Sequence, residues 1–208
     1  MHDIVGDRRL LQVNEVTRAA LVLGSAQDEA VIDHERVRSR GLDLVRRRSG
    51  GGAVLLLPGE HVWIDIVLPV ADPLWSDDVA EASWWLGERW ADALARAVTP
   101  GGELSVHRHG VRGRELARLV CFAGVGPGEL THAGRKLVGI AQRRTRSWAR
   151  FQCVVHRRWD PLATLELMAE RPEGLESVLR HQVTALRSLG EGPTEEWDAV
   201  SGLLRQLG

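Results

Sequence analysis

Short apolar runs alternate with polar and turn-forming residues along most of the chain. Ten of these runs are rich in valine, isoleucine and leucine and are bounded by glycine, proline or charged residues, a pattern that predicts β-strands. They cover residues 10–16, 19–24, 41–45, 54–57, 61–68, 104–109, 120–122, 129–133, 135–143 and 149–156. The strands fall into two groups, because a long segment with helical spacing separates the fifth from the sixth.

Apolar residues at steps of three and four predict helices elsewhere. The predicted helices cover residues 28–39, 76–98, 160–170 and 175–189, with a short one that begins at Thr194. The longest has one apolar stripe, formed by Val79, Ala82, Leu86, Trp90, Ala93, Leu94 and Ala97. Ser76 and the two aspartates after it are expected to cap its start, and Asp160 followed by Pro161 is a typical helix start.

The strand predicted at residues 61–68 contains one acidic residue among apolar ones. Alternation places its four aliphatic positions on one face and Asp65 on the other. A carboxylate in a buried strand needs a partner, and an arginine of the segment 46–48 is the candidate that the sequence offers. A solvated position at the edge of a sheet is an equally good interpretation.

The order of the predicted elements is strands, one long helix, more strands and then helices. Such an order is typical of an α+β fold with a mixed, largely antiparallel sheet flanked by helices. With 208 residues and a mass of 23.0 kDa, the chain is long enough to bury a substantial core. Residues 1–208 are therefore expected to form a single domain.

Composition and charge argue against several classes of function. With 27 basic and 28 acidic residues the net charge is -1, so no global field attracts nucleic acid or a membrane surface. No apolar run approaches the length of a membrane span and the N-terminus lacks a signal-peptide core, so a cytoplasmic location is expected. Two cysteines are too few for a disulfide framework. No Cys, Asp or Glu stands near His107 and His109 to complete a metal shell, so no metal site is expected.

A glycine triplet, Gly50–Gly52, follows three arginines and a serine and precedes an apolar strand. Glycines lose more conformational entropy on folding than other residues, so a triplet indicates a need for positive φ or for a close approach to the backbone. Amide groups in such a loop bind anions, and neighbouring arginines add charge and fork-shaped donors. A flexible hairpin turn explains the glycines equally well, but it does not require the arginines.

Lys136 lies near the start of the strand predicted at residues 135–143. A lysine at such a position is able to lean over a pocket and donate to a carbonyl or phosphate oxygen. Gly139 is expected to lie on the same face and to leave room beneath the group that the lysine holds. A lysine exposed at the end of a strand is the commoner arrangement, so this segment alone does not define a site.

Together, the glycine loop and the lysine strand resemble two motifs of the lipoate-protein ligase and octanoyltransferase family, within the biotin and lipoate ligase superfamily. The family's Arg-Arg-x-Ser/Thr-Gly-Gly-Gly-Ala-Val loop is matched from Arg46 or Arg47 to Val54. Its Lys-x-x-Gly-x-Ala-Gln-Arg-Arg strand is matched by residues 136–144. Gly24-Ser-Ala-Gln27 resembles a third, shorter motif of the family. Two separated motifs in the right order are more specific than either one.

The resemblance covers about residues 20 to 190 and implies the catalytic-domain fold of that superfamily. It implies a pocket in which the glycine loop lies along an acyl chain. It also implies that Lys136 is catalytic and holds the acyl carbonyl and its phosphate while charge develops during transfer. The residues implied in substrate binding are Arg47, Arg48, Ser49, Gly50, Gly51, Gly52, Ala53, Gly139 and Ala141.

In a ligase of this family, ATP and Mg²⁺ activate lipoate or octanoate as an acyl-adenylate, and the acyl group then passes to a protein lysine. The implied acceptors are the lipoyl domains of 2-oxoacid dehydrogenases and the H protein of glycine cleavage. ATP-dependent ligation is the first expectation from the sequence. The last helices are expected to complete the catalytic domain, so a ligase of this form has no C-terminal accessory domain and works with a separate small subunit.

Two alternatives stay open within the family. An octanoyltransferase passes the acyl group through a cysteine thiolate, for which Cys121 and Cys153 are the candidates, although each is also typical of a small buried residue. A diverged relative that binds the acyl group without transferring it is the other alternative. It is favoured where the chain departs from the motifs: Leu55–Leu57 replace an aromatic residue, a histidine and an aspartate, and Gln152–Val154 stand at the place of a His-Gly pair.

Outside the family, the basic residues at 143–146 and Trp148 offer a nucleic-acid surface. Neither a helix-turn-helix pattern nor a set of stacked aromatic residues accompanies them. The sequence therefore favours acyl transfer over nucleic-acid binding.

Overall fold

The computed structural model describes residues 7–97, 102–189 and 202. Within them the chain forms nine strands, numbered in chain order. They are β1 (Leu10–Asn14), β2 (Ala20–Leu23), β3 (Asp43–Arg46), β4 (Val54–Leu56), β5 (His61–Pro69), β6 (Leu104–Val106), β7 (Leu130–His132), β8 (Arg135–Arg144) and β9 (Trp148–His156). Six form an antiparallel sheet in the order β1-β5-β9-β8-β7-β6. The others form a sheet in the order β3-β2-β4, in which β2 is parallel to β3 and antiparallel to β4.

Helices flank both sheets. The described residues contain α1 (His34–Ser39), α2 (Trp84–Ala97), α3 (Arg114–Ala117), α4 (Pro161–Leu165) and α5 (Leu175–His181). The predicted α+β class, with mixed and largely antiparallel pairing, is confirmed. Across the part of the chain that the structure describes, every helix is too short or too polar to span a bilayer.

Apolar side chains form two cores, one on each face of the six-stranded sheet. The first core joins that sheet to α2 and includes Ile64, Ile66, Leu86, Trp90 and Phe151. The predicted alternation in β5 is therefore confirmed. The second core joins the three-stranded sheet to α1, α4 and α5 and includes Leu21, Leu23, Phe122, Leu165 and Leu179. Val154 of β9 packs against this second core, so the two sheets face each other there.

The long helix begins at Trp84, and the start predicted at Ser76 is wrong. Asp78 caps only a turn, in which its carboxylate accepts two backbone N–H groups. Ser83 is buried and donates to a backbone carbonyl of a later loop at 2.9 Å, so a tertiary contact fixes the segment before the helix. Val79 is 62% exposed as a result and lies outside the apolar stripe.

A single backbone pairing shortens two other predicted helices. Ile32 forms an antiparallel bridge with Met168, which interrupts the helix predicted at 28–39 and ends α4 before the helix predicted at 160–170 is complete. The predicted start of α4 is confirmed, because the Asp160 carboxylate accepts from the first free amides of the helix. Distant hydrogen bonds thus replace helical ones, as each buried backbone group needs a partner.

The helix predicted at residues 175–189 is also interrupted. α5 ends at His181, and Val183 then forms a parallel bridge beside Lys136. A 3-10 turn follows at Leu186–Leu189. The last predicted helix, from Thr194, lies outside the described residues.

A β-bulge sets the direction of Lys136. β7 and β8 pair as Leu130 with Val138 and Thr131 with Lys136, so β8 carries one extra residue between the two pairs. The extra residue shifts the alternation of side chains along β8. A Cβ atom built on Gly139 would lie 3.5 Å from the Lys136 Cε atom. Lys136 and Gly139 therefore share a side of the strand, which regular alternation over three residues would not allow.

Candidate functional site

A cavity of about 190 Å³ lies between the two sheets. The three-stranded sheet contributes Val22, Val45, Val54 and Leu56. The six-stranded sheet contributes Trp63, Gly139, Ile140, Ala141, Gln152 and Val154, and the loops contribute Arg47, Cys121 and Phe122. The lining is mostly apolar, so the cavity suits an aliphatic chain, at about 0.8 kcal/mol for each CH₂ group buried.

Arg47 shapes the glycine loop at one end of this cavity. Its guanidinium donates to the carbonyl of Gly50 at 2.6 Å, to that of Gly52 at 2.9 Å and to that of Val22 at 3.2 Å. Burial lowers the pKa of Arg47, and the charge interaction with Cys121 opposes that shift. The fork-shaped donor predicted to bind a ligand anion therefore holds loop carbonyls and faces a thiol.

Close packing accounts for the glycines of the loop. A Cβ on Gly52 would lie 2.6 Å from the backbone of the segment 117–120, and one on Gly24 would lie 1.8 Å from the Gly51 carbonyl oxygen. Gly51 itself has a φ angle of +95°, a backbone conformation that residues with a side chain rarely adopt. Within the described residues, the amides of Gly50–Gly52 donate to no protein acceptor. The loop thus combines a fixed shape with free backbone donors.

Cys121 borders the cavity at the start of a 3-10 turn, Cys121–Ala123, where the sequence predicted an extended segment. Its amide donates to the Ala53 carbonyl at 3.0 Å, so the turn is tied to the end of the glycine loop. A Cβ on Gly51 would lie 3.4 Å from the Cys121 Sγ atom and 2.8 Å from an Arg47 nitrogen. The thiol and the guanidinium therefore approach the same glycine from the same side.

Lys136 lies beneath this turn and does not line the cavity. It is 1% exposed, and its Nζ atom lies 2.7 Å from Glu129 Oε2. The ammonium also donates to the carbonyls of Gly124 at 2.9 Å and Cys121 at 3.2 Å, and it lies 4.8 Å from the centre of the Phe122 ring. Lys136 is the only lysine of the chain. Its role in catalysis stays a prediction.

Cys153, the other candidate thiol, lies on the opposite face of the six-stranded sheet. It is fully buried in the first core. Burial raises the pKa of Cys153 to about 12. A thiol that is both shielded from solvent and difficult to ionise does not meet the requirements of a nucleophile.

Asp65 is buried, and the partner predicted for it is wrong. Its carboxylate forms an ion pair with Arg150, on the neighbouring strand β9, and accepts from the Trp63 indole at 2.8 Å. The arginines at 46–48 lie on the other sheet and do not reach it. The cross-strand pairing of β5 with β9, which the sequence could not predict, decides the partner.

The other predicted substrate-binding residues surround the cavity without lining it. Ser49 is 3% exposed and donates to Gln152 Oε1 at 3.3 Å, which joins the loop to the six-stranded sheet. Ala53 is buried. Arg48 and Gly50 are exposed, and neither contributes to the cavity wall. Of the predicted set, Arg47, Gly139 and Ala141 line the cavity.

The described residues do not fit a resident Mg²⁺ site. No group of three or more His, Cys, Asp or Glu side chains among them is arranged to hold a metal. Asp65 and Glu129 adjoin residues of the cavity wall, but both are buried in ion pairs. Leu56 and Leu57 stand where the family's motif carries a histidine and an aspartate, and Leu56 is buried.

Sequence reasoning did not single out Glu129, Phe122 or Trp63. Glu129 follows the Gly-Pro-Gly segment 126–128, and nothing in its local pattern distinguishes it from an exposed glutamate at the start of a strand. Phe122 and Trp63 belong to apolar segments that predict core positions. Only the tertiary arrangement brings them to the cavity.

Comparison with known proteins agrees with this geometry. A family model described as the lipoyl protein ligase A/B catalytic domain matches residues 7–207. The chain is 37% identical over 118 residues to octanoyltransferase LipM from Moorella thermoacetica. That match covers 57% of this chain and 42% of LipM, so the chain spans less than half the length of this relative.

Solved structures share the fold. One is a bi-partite lipoate protein ligase from Thermoplasma acidophilum, described with its E2 lipoyl domain, with a TM-score of 0.70 and 14% identity over 96% of this chain and 70% of that one. Another is lipoate-protein ligase A bound with ATP, with a TM-score of 0.63 and 17% identity over 96% and 71% of the two chains. The predicted lipoate-ligase type of catalytic fold is confirmed.

Proposed function

Because the chain belongs to the family of lipoyl protein ligase A/B catalytic domains, we propose that it transfers an octanoyl or lipoyl group to a protein lysine. The transfer proceeds through a thioester on Cys121. One observation carries the proposal: the Cys121 thiol borders an apolar cavity and has the Arg47 guanidinium beside it. An activated nucleophile next to a positive charge is the arrangement that thioester chemistry needs.

In the first half of the reaction, the Cys121 thiolate attacks the carbonyl carbon of a thioester donor, such as an octanoylated carrier protein. A C–S bond to Cys121 forms, the C–S bond of the donor breaks, and the released thiol takes up one proton. In the second half, the amine of the acceptor lysine attacks the Cys121 thioester. An amide bond forms, and Cys121 regains a proton from that amine as it leaves.

The cavity and the loop have separate tasks in this reaction. The aliphatic lining between the sheets holds the acyl chain, and its reactive carbon stays at the Cys121 end. The amides of Gly50–Gly52 have no protein acceptor among the described residues, and Gly51 lies next to the thiol, so this loop is our candidate donor to the oxygen that becomes negative during transfer. Lys136 supplies positive charge from beneath the Cys121 carbonyl.

The acceptor in this proposal is a lipoyl domain or the H protein of glycine cleavage. A lipoyl domain accompanies the related bi-partite ligase, and LipM is an octanoyltransferase. Cys121 is only partly buried, so the lysine of a small acceptor domain is able to approach it.

Ligation through an acyl-adenylate is the second candidate. The observation that favours it is the glycine loop itself, because free amides next to arginines also suit a phosphate. In that mechanism ATP would supply the activation and Cys121 would have no covalent role. The two candidates therefore differ in the donor that they consume and in their need for the thiol.

A comparison of acyl donors tests the proposal. A purified lipoyl domain is incubated with the protein and either octanoylated carrier protein or octanoate with ATP and Mg²⁺, and its intact mass is measured. We expect one octanoyl group to be added from the carrier protein without ATP. Cys121→Ser should slow this addition by at least about 1000-fold, as expected when a nucleophile is removed.

Cys153→Ser is the matched control, because it removes the other thiol from a position that no donor reaches. It should retain transfer if the fold is intact. If the octanoyl group is added only from octanoate and ATP, and Cys121→Ser keeps full activity, the protein is a ligase and the thioester mechanism is wrong. Binding of octanoate without transfer from either donor would identify a non-catalytic relative.

A further inference from the structure

The ion pair of Lys136 and Glu129 lies directly beneath the turn that carries Cys121. The two side chains are 1% and 6% exposed, and Nζ lies 2.7 Å from Oε2. The Lys136 ammonium also donates to Gly124 and Cys121 carbonyls, at 2.9 and 3.2 Å. These three acceptors match the three N–H groups of a charged ammonium, whereas a neutral amine has only two.

The Glu129 carboxylate is held in place from two sides. Its Oε2 atom accepts from the Gly126 amide at 2.7 Å, and its Oε1 atom accepts from the Ile140 amide at 3.0 Å. Leu130 is the first residue of β7, so β8 has no strand partner on that side at Ile140. The carboxylate takes the place of the missing strand carbonyl. Its position is therefore fixed by the backbone.

The Lys136 ammonium connects both ends of the catalytic turn. Cys121 is the first residue of the 3-10 turn Cys121–Ala123, and Gly124 is the residue that follows it. The Nζ atom donates to both carbonyls, and Glu129 compensates its charge. A displaced or neutral lysine would release at least one end of the turn. The Cys121 thiol would then lose its fixed place at the cavity.

We propose that Glu129 is a positioning residue that keeps Lys136 charged and centred beneath the turn, and thereby sets the place and reactivity of the Cys121 thiol. The inference rests on the proposed function of Cys121 as the nucleophile. Glu129 does not line the cavity, and its ion pair with Lys136 is the contact through which we expect it to act on the thiol. A carboxylate in this role is missing from the predicted set of site residues.

The test begins with the charge of the lysine. Because Lys136 is the only lysine, protein made with ¹³C-labelled lysine gives one side-chain signal that follows its protonation by NMR. In Glu129→Gln we expect the titration midpoint to fall by at least about one pH unit, since a buried ammonium without a counter-ion is disfavoured. Glu129→Asp keeps the charge and should restore part of the shift. Glu115→Gln, on an exposed glutamate of α3, should leave the signal unchanged.

The second measurement concerns the thiol. In a Cys153→Ala background, alkylation by iodoacetamide reports on Cys121 alone. We expect Glu129→Gln to slow alkylation at least about fivefold, because charge and position next to the thiolate are both lost. Lys136→Met should slow it as well, and the double variant should match Lys136→Met within about twofold if Glu129 acts only through the lysine.

The two outcomes that would overturn the proposal are clear. One is a Glu129→Gln protein whose lysine signal titrates like that of the unsubstituted protein. The other is a double variant in which alkylation is slowed well beyond Lys136→Met. Neither measurement uses an acyl donor. If the unsubstituted protein transfers no acyl group, the proposed function fails, but the effect of Glu129 on Lys136 and on the Cys121 thiol is still tested. Where transfer is present, kcat should fall with KM for the donor unchanged.

Discussion

At the scale of single residues, the two cysteines show how surroundings decide chemistry. Cys121 borders the cavity and faces Arg47, whereas Cys153 points into the first core. The same burial that makes Cys153 a good core residue raises its pKa to about 12. Apolar neighbours in the sequence are common to both thiols, so only their places in the fold, a turn at the cavity and a strand facing the first core, distinguish them.

His156 illustrates the same effect for a base. Its ring is 4% exposed and packs edge-on against His61, Phe122 and Trp159. Burial lowers the pKa of His156 well below its usual value, and burial also lowers the pKa of His61. Both histidines therefore stay neutral in the folded protein at pH values at which they bind protons in the unfolded chain.

We expect this pair to make the protein acid-sensitive. Between the lowered folded pKa and the ordinary unfolded value, the unfolded state binds more protons, so stability is complete above about pH 6.5 and decreases below it. The loss should approach about 1.4 kcal/mol per pH unit for His156, whose pKa is lowered furthest, and His61 should add a smaller part. Urea unfolding at about pH 7.5 and about pH 5.5 measures it.

His156→Phe keeps an aromatic ring in the cluster and should flatten the pH dependence. His181→Gln, at an exposed position of α5, is the matched control and should keep the original slope. Equal slopes in His156→Phe and the unsubstituted protein would show that the buried pair does not cause the acid sensitivity.

Some site residues were predictable and others were not. Arg47, Gly139 and Ala141 stand in recognisable motifs, and the structure places all three at the cavity. Glu129 and the partner of Asp65 depend on strand register, since a β-bulge directs Lys136 and the pairing of β5 with β9 supplies Arg150. Register is a tertiary property that one sequence without a partner strand does not reveal.

At the scale of elements, the glycine loop acts as a rigid connector. Its carbonyls are held by Arg47, its end pairs with Cys121, and Gly52 packs on the backbone of the segment 117–120. The loop thus links the small sheet to the turn that carries Cys121, and it fixes the shape of that end of the cavity.

Gly52→Ala should therefore destabilise the protein by about 1–3 kcal/mol, the usual cost of overpacking, because the new methyl group would meet backbone atoms. Gly50→Ala is the matched control, since a Cβ at Gly50 would meet nothing within 4 Å. Urea midpoints of the two variants measure the difference. Equal stability of the two variants would contradict the packing that we describe.

Elements were predicted best where the apolar pattern is long or alternating. Nine of the ten predicted strands overlap an observed strand among the described residues. Helix predictions were wrong where a backbone pairing with a distant residue competes with the helix, as at the Ile32–Met168 bridge. The energy of such a pairing depends on a residue more than a hundred positions away, so local periodicity does not report it.

At the scale of the whole molecule, the cavity lies where two independent sheets meet. Few side-chain links join them there, and one is the hydrogen bond from Ser49 to Gln152. A bound acyl chain would add apolar contacts to both sheets at once. Ligand binding should therefore stabilise the folded state.

We expect octanoate at about 100 times its Kd to raise the free energy of unfolding by about 2.7 kcal/mol. Acetate at the same concentration is the control, because it lacks the chain that the cavity would bury. The urea midpoint, followed over a series of octanoate concentrations, measures the effect. An unchanged midpoint would show that the cavity does not accept an aliphatic chain.

If the protein acylates lysine as we propose, its solitary, enclosed lysine has a further consequence. Reactive esters and thioesters also label amines without any enzyme, and the catalyst is normally the protein most exposed to its own intermediate. In this chain the basic surface consists of arginine, and the one side-chain amine is locked in an ion pair. The acyl group that we propose on Cys121 would therefore meet no accessible lysine side chain of its own chain, and it would be reserved for the acceptor.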